Sequence, residues 1–410
     1  MKIALLFGIF SPSSYHEILQ QSKGVIQNAA DALQKAYIDG IGSLIPGDVE
    51  ILNLPYIGSY PKRYAHLYSP QRTFSIRTKN GNIVLGQDIR FNNICGLKMY
   101  FRYVQAKKAL SKWCEKHNDE DRCVVVYAIH APFLQACADV KRSYPSLKIV
   151  LIVPDLPEYM SQRPTILKKL ADQINRKILN KLYDCVDGYV LLSRYMIERL
   201  PIGDKPWTVI EGIYCDDIQS EKIQTSINIE HSKYILYSGT LARRYGVLNL
   251  VEAFRAIPQK EYKLLICGAG DSADIIKKYA KEDERIVFCG QRKRGDVLDM
   301  QKKASLLVNP RTPEGEFTKY SFPSKTIEYF ASGVPCLLYR LPGIPNEYYQ
   351  YCFCVDEIGI KPLRQKIEHI IQKDEQALKQ VGIQAQHYIF EEKNSIKQTQ
   401  KLINLIYQLI

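Results

Sequence analysis

Short apolar runs rich in valine, isoleucine and leucine alternate along this chain with longer stretches of helical periodicity. The first runs, at 2–7, 48–52, 123–128, 148–153 and 187–192, predict strands. A second series predicts strands at 207–210, 233–237, 262–267, 285–289, 305–308 and 335–339. Helical patterns occupy 16–38, 97–117, 164–182, 247–256, 271–280, 323–332 and about 376–408. Strand–helix alternation of this kind implies parallel sheets covered by helices on both faces.

The pattern restarts near 207. The segment Leu200-Pro201-Ile202-Gly203-Asp204-Lys205-Pro206 carries two prolines and a glycine and reads as a linker. The expected architecture is therefore α/β: two doubly wound, Rossmann-like domains, 1–205 and 206–375, facing a cleft. The last helical stretch, 376–410, is placed to cross back onto the first domain. In open sheets of this type ligands bind beyond the carboxyl ends of the strands.

The chain has 410 residues, with 46% hydrophobic and 24% charged positions, which excludes a disordered or collagen-like chain. No apolar run approaches the ~20 residues of a membrane span. Met1 to Gly8 reads as a first strand, not a signal peptide, so a cytoplasmic location is expected. Eleven cysteines, without a CxxC pair, read as free thiols, and no metal site is expected. The net charge is +13, and it is uneven: residues 1–205 hold 28 basic against 18 acidic side chains. Such a field attracts an anionic partner.

The most informative segment is Phe322-Pro323-Ser324-Lys325-Thr326-Ile327-Glu328, ending at Gly333-Val334-Pro335. Pro323 suits a first helical position. Free N–H groups at such a start, with Lys325, suit an anion. Lys325 and Glu328 are three apart and share one face, as a phosphate beside a ribose diol would require; a capped surface helix is the alternative. In Tyr237-Ser238-Gly239-Thr240-Leu241-Ala242-Arg243-Arg244, a strand end leads into two arginines, which match phosphate oxygens or form a solvated loop. Gly268-Ala269-Gly270 to Ala273 satisfies G-x-G-x-x-A, a weak dinucleotide fingerprint or a tight turn.

These pieces, with Leu307-Val308-Asn309-Pro310, resemble in order the retaining glycosyltransferases of family 4, which have the GT-B fold. The resemblance covers about 232–350 and is diffuse before 205. It implies a donor site in which Glu328 binds the ribose, and Lys325 with Arg243 or Arg244 binds the diphosphate. It also places Gln291 and Arg292 where the base is read. Gly239, Gly268 and Ser324 fall in the matching loops. A donor-contacting glutamate is often found eight residues before Glu328, where this chain has Tyr320; Glu314, Glu316 or the amides at 322–324 are the substitutes. The basic pair usually falls at the positions of Thr240 and Tyr245, so the arginines are inferred replacements.

In the first half, His130 ends a strand facing the expected cleft, Asp155 lies just beyond another, and Ser11 follows the first. All three are candidate acceptor-side residues, with Asp155 also a candidate catalytic group; a structural histidine and a helix cap are the alternatives. Residues 97–117 and 164–182 combine apolar stripes with lysines and arginines, as helices lying on anionic membranes do, or as core-facing helices with a solvated face. Asp119-Glu120-Asp121 reads as a solvated loop. The expected activity is transfer of a sugar from a nucleotide-sugar, UDP favoured, to a saccharide or lipid-linked saccharide in surface polysaccharide synthesis. No cofactor is expected. A sugar-nucleotide epimerase, an NADP enzyme and an inactive partner subunit remain as rivals; nucleic acid is the least favoured partner.

Overall fold

The computed structural model describes residues 1–24, 26–159, 178–214 and 233–410. The chain divides into two compact units: Met1–Cys215 with Ser395–Ile410, and Asp216–Asn394. The predicted helix over 164–182 lies almost entirely outside the described residues.

The first unit is built on an eight-stranded sheet of order β3-β4-β2-β1-β5-β6-β7-β8. Its strands are β1 (Lys2–Phe7), β2 (Val49–Asn53), β3 (Thr73–Arg77), β4 (Ile83–Asp88), β5 (Arg122–Tyr127), β6 (Lys148–Val153), β7 (Gly188–Leu191) and β8 (Trp207–Val209). Leu5 of β1 pairs in register with Ile51 on one side and Val125 on the other. Every pairing is parallel except β3 with β4 at the edge. The central strands are apolar throughout because helices α1 (Tyr15–Gln21), α2 (Asn28–Leu44), α3 (Lys98–Lys116) and α4 (Ala131–Ser143) belong to the same layered unit.

Two sequence expectations change here. The run at 207–209 does not open the second unit. It lies parallel to β7, with Leu191 opposite Val209, and the Pro206 carbonyl accepts the Tyr189 N–H (3.1 Å). The Pro/Gly segment is thus a turn inside the first unit, and the division falls at 215/216, not 205/206. The β3–β4 hairpin was not predicted. Its strands alternate buried and exposed positions at a sheet edge, so neither forms an apolar run; the Asn80-Gly81 turn, with Gly81 at φ +83°, was the available signal.

The last helical pattern is two helices, α10 (Glu375–Glu392) in the second unit and α11 (Ser395–Tyr407) in the first. Leu402, Ile403 and Ile406 of α11 join the first unit's core beside Tyr37, Ile38 and Ile41 of α2. Gly40 permits this approach: a Cβ there would lie 2.2 Å from the Ser395 carbonyl oxygen.

The second unit has a six-stranded, all-parallel sheet of order β11-β10-β9-β12-β13-β14. The strands are β9 (Lys233–Ser238), β10 (Tyr262–Cys267), β11 (Ile286–Gly290), β12 (Leu306–Asn309), β13 (Cys336–Tyr339) and β14 (Phe353–Val355). Between them run α5 (Val247–Arg255), α6 (Ala273–Glu282), α7 (Arg294–Lys303) and α8 (Lys325–Ala331), and α9 (Ile360–Ile371) follows the last strand. The chain winds outward through β10 and β11, then returns to β12 on the other side of β9. The order therefore reverses between β9 and β12, and the crevice of such a sheet opens at that reversal. Among the described residues, no helix is long and apolar enough to cross a membrane.

Candidate functional site

At the reversal, Ser238 ends β9 and Asn309 ends β12. The Ser238 N–H donates to the Tyr329 hydroxyl (2.8 Å), and that hydroxyl donates to the Ser238 carbonyl (3.2 Å). Gln301 of α7 donates to the Ser238 side-chain oxygen (3.0 Å). These buried bonds fix α8 against the end of β9. Residues Lys325 and Glu328 precede Tyr329 on this helix and are only partly buried. The Lys325 ammonium hydrogen-bonds one Glu328 carboxylate oxygen, and the Arg294 guanidinium stands 3.9 Å from the other. Glu328 is thus aligned by two cations before any ligand arrives. The helix begins at Lys325, with exposed Ser324 before it, rather than at Pro323; the Pro323 carbonyl accepts the Thr326 N–H instead (2.8 Å).

The loop after β10 packs backbone to backbone against the loop after β9. Gly239 N–H donates to the Cys267 carbonyl (3.0 Å), and Leu241 N–H to that of Ala269 (2.9 Å). A Cβ on Gly268 would lie 1.9 Å from the Gly239 oxygen, and one on Gly270 would lie 2.4 Å from the Leu241 oxygen. This contact accounts for both glycines without a dinucleotide. Beyond β11, Gln291 is exposed, while Arg292 curls back to donate to the Cys289 carbonyl (2.9 Å).

The arginine pair occupies a one-turn helix after β9. Both side chains are exposed. The Arg243 backbone is held by Asp271 (3.0 Å), and its guanidinium has no partner among the described residues. Arg244 lies over the Tyr245 ring (5.0 Å) and the Phe317 ring (5.4 Å). Arg311, just past β12, shares the same two rings (5.1 and 4.6 Å) and donates to Ser321 (2.6 Å). It is 7% exposed, and its Nε has no hydrogen-bond partner. Burial, with the nearby Arg244 charge, pulls its pKa down. Two like charges held this close, one of them buried, favour an anion beside them. Tyr320 is 3% exposed, and its hydroxyl faces Glu316 (3.4 Å).

In the first unit, Ser11 is buried, and its hydroxyl donates to Asp88 (2.6 Å), as does that of Ser14 (2.6 Å). Ser11 thus sits in the framework of the loop after β1. His130 precedes α4 and is half-buried against aromatic rings. Asp155, after β6, is exposed to solvent, yet incomplete hydration raises its carboxyl to about 6. On α3, Leu110 and Trp113 face the core, but so does Arg102, which is 1% exposed where a solvated charge was expected. Glu120, within the Asp-x-Asp segment, bonds His117 (2.9 Å).

Residues 219–387 match the family described as Glycosyl transferases group 1. The match lies within the second unit, which is thus similar to that family. The chain is also 25% identical over 191 residues to N-acetyl-alpha-D-glucosaminyl L-malate synthase of Bacillus anthracis, an alignment covering 44% of this chain and 47% of that protein. It therefore spans about half the length of that relative. Among solved structures, sucrose-phosphate synthase of Thermosynechococcus elongatus aligns over 100% of this chain and 99% of its own (TM-score 0.64, 14% identity). HepE of Anabaena, solved with UDP, aligns over 100% of both chains (TM-score 0.62, 14% identity). Trehalose-6-phosphate synthase aligns over 99% of both (TM-score 0.65, 9% identity). These likenesses show the fold: two parallel-sheet domains of the GT-B type.

Within the second unit, the structure gathers Gly239, Gly268, Lys325 and Glu328 around the carboxyl ends of β9 and β10 and the start of α8. Sequence reasoning missed Tyr329, Arg294 and Arg311. Tyr329 reads as one more apolar position of an amphipathic helix. Arg294 lies 34 residues before Glu328 along the chain, in a segment with no motif to mark it. Arg311, next to the Asn309-Pro310 strand end, had a signal: a charge directly following a buried strand.

Proposed function

We propose that this chain is a glycosyltransferase that takes a sugar from a nucleoside-diphosphate sugar, UDP favoured, and passes it to a saccharide or lipid-linked saccharide with retention of anomeric configuration. The observation that carries this is the Lys325–Glu328 pair, anchored by Tyr329 at the strand-order reversal of the second unit. Glu328 receives the ribose hydroxyls. Lys325 and the arginine cluster, Arg243 or Arg244 with Arg311, neutralise the departing diphosphate. Preorganised cations contribute most where charge develops in the transition state. Backbone groups at Gly239, Gly268, Gln291, Arg292 and Ser324 border the nucleotide, and Tyr320 shapes the wall behind the sugar. Asp155 and His130 of the first unit serve the acceptor. UDP is favoured because HepE, a neighbour of the same fold, was solved with it.

The chain works in the cytoplasm at the inner face of the membrane, in surface polysaccharide synthesis. Its contact with lipid is the head of α3, not the length of the helix. Leu97, Met99 and Tyr100 are 55%, 56% and 60% exposed there, with Ile94 beside them. Lys62 and Arg63 follow Tyr60, which pairs with Ile94, and both are exposed. Apolar side chains ringed by cations suit an anionic lipid surface.

Thermal shifts with UDP, GDP, dTDP and ADP test the donor reading, since a ligand that binds the folded state raises its melting temperature. Glu328→Ala is expected to abolish the UDP shift at unchanged ligand-free melting. A variant that binds every nucleotide as the parent does would overturn the assignment.

A further inference from the structure

His130 has its ring nitrogens assigned by its surroundings. Arg102, 1% exposed, uses its guanidinium three ways: Nη1 donates to the Pro55 carbonyl (2.8 Å), Nη2 to that of Leu54 (2.9 Å), and Nε to His130 Nε2 (3.1 Å). A guanidinium only donates and does not lose its proton in a protein. His130 Nε2 must therefore offer its lone pair. In a neutral imidazole the proton then resides on Nδ1. The doubly protonated form would set two N–H donors and two cations against each other. Burial, and the Arg102 and Lys98 charges, hold the His130 pKa well below its ordinary value.

The ring is also held in place. Tyr56 and Phe133 lie nearly parallel to it, at 5.6 and 4.5 Å between centroids. The same rings, with Phe91, face the Arg102 guanidinium (5.0, 4.9 and 4.9 Å). Tyr56 is itself tied to the Tyr127 carbonyl at the end of β5 (2.9 Å). Two residues before His130, Ala128 is held at φ +68°, a conformation that a residue with a side chain adopts reluctantly. Nδ1 has no partner among the described residues, and the residue is only half-buried. The charged neighbours acting on the ring are cations only, Arg102 and Lys98, and the Lys98 ammonium, bonded to the Ile57 carbonyl, is itself pushed down to about 8 by burial and nearby arginines.

We propose that Arg102 is a positioning residue that locks His130 as the uncharged Nδ1–H tautomer, so that the ring presents one fixed N–H donor to a substrate oxygen. The lock belongs to the protein alone; a substrate oxygen as its acceptor rests on the transferase function proposed above. No proton moves in this role: the N–H donates a hydrogen bond and is kept.

The test is a long-range proton–nitrogen spectrum of the full chain with labelled histidine, without ligand. The His130 signal is identified by its loss in His130→Asn. A pyrrole-like Nδ1 and a pyridine-like Nε2 are expected, retained in Arg102→Lys and replaced by a tautomer mixture in Arg102→Met. An Nε2–H ring or an imidazolium in the parent protein overturns the lock. For the donor role, Asn and Gln at 130 are compared, since an Asn amide falls near the Nδ1 position and a Gln amide near Nε2. His130→Asn is expected to transfer about 2- to 10-fold faster than His130→Gln, the range for one hydrogen bond between uncharged groups, at equal melting temperature. Equal rates would overturn the donor role. If no nucleotide binds and no transfer is found, the proposed function falls while the spectrum still decides the lock.

Discussion

The Tyr329 hydroxyl, buried in the second unit, both accepts the Ser238 N–H and donates to the Ser238 carbonyl, at 2.8 and 3.2 Å. One side chain thereby registers the helix that bears Lys325 and Glu328 against the strand end where a ligand would dock. Tyr329→Phe leaves the Ser238 N–H without its partner in the interior, which costs about 1–3 kcal/mol. Melting should fall accordingly, and UDP affinity should fall with it, because the carboxylate moves with the helix. Lower stability with undiminished nucleotide affinity would show that the tether only supports the fold.

Lys325→Ala should lower turnover more than donor affinity, because the diphosphate is most charged as it leaves. Of the two arginines, Arg244 shares its aromatic rings with buried Arg311, whereas Arg243 projects alone. Single alanine changes are therefore expected to give a large loss at 244 and a small one at 243. With this many fixed cations available, activity should survive EDTA. Comparable minor losses at all three positions would place the phosphate site elsewhere, and loss in EDTA restored by magnesium would replace the cation account.

Asp155 titrates near 6 in the folded chain, above the ordinary carboxylate range, because its charged form is incompletely hydrated. Any acceptor-side step that needs the carboxylate loses about tenfold in rate per unit below that pH. The folded pKa is raised, so the folded state holds more protons between about 4 and 6, and stability declines as pH rises through that window. Asp155→Asn should flatten both the acidic limb of kcat/KM and this slope in melting temperature. A rate profile of unchanged shape in the variant would remove Asp155 from the chemistry.

Leu97 and Met99 are exposed, so Leu97→Glu with Met99→Glu should leave melting unchanged. The same pair should abolish sedimentation with vesicles containing phosphatidylglycerol at low salt, and the parent protein should bind phosphatidylcholine vesicles weakly. Full retention by the double variant would end the proposal that the head of α3 meets lipid.

The alternation of apolar runs and amphipathic stretches was enough to determine the layered α/β architecture and most parallel strands, because a strand covered on both faces must be apolar throughout. The Lys325–Glu328 spacing was legible for a similar reason: helix geometry alone sets which side chains share a face. Three things were decided only in the tertiary structure. Trp207–Val209 joined the first sheet, since a strand's partner is set by the crossover that delivers it and not by its own residues. Arg102 turned inward on a helix whose pattern gives it to solvent, because two carbonyls and the His130 lone pair wait there, and such partners lie far away along the chain. Arg311 and Arg244 met over shared rings for the same reason. Periodicity reports which side of an element is buried; which polar groups meet there depends on contacts between segments that the order of residues does not list.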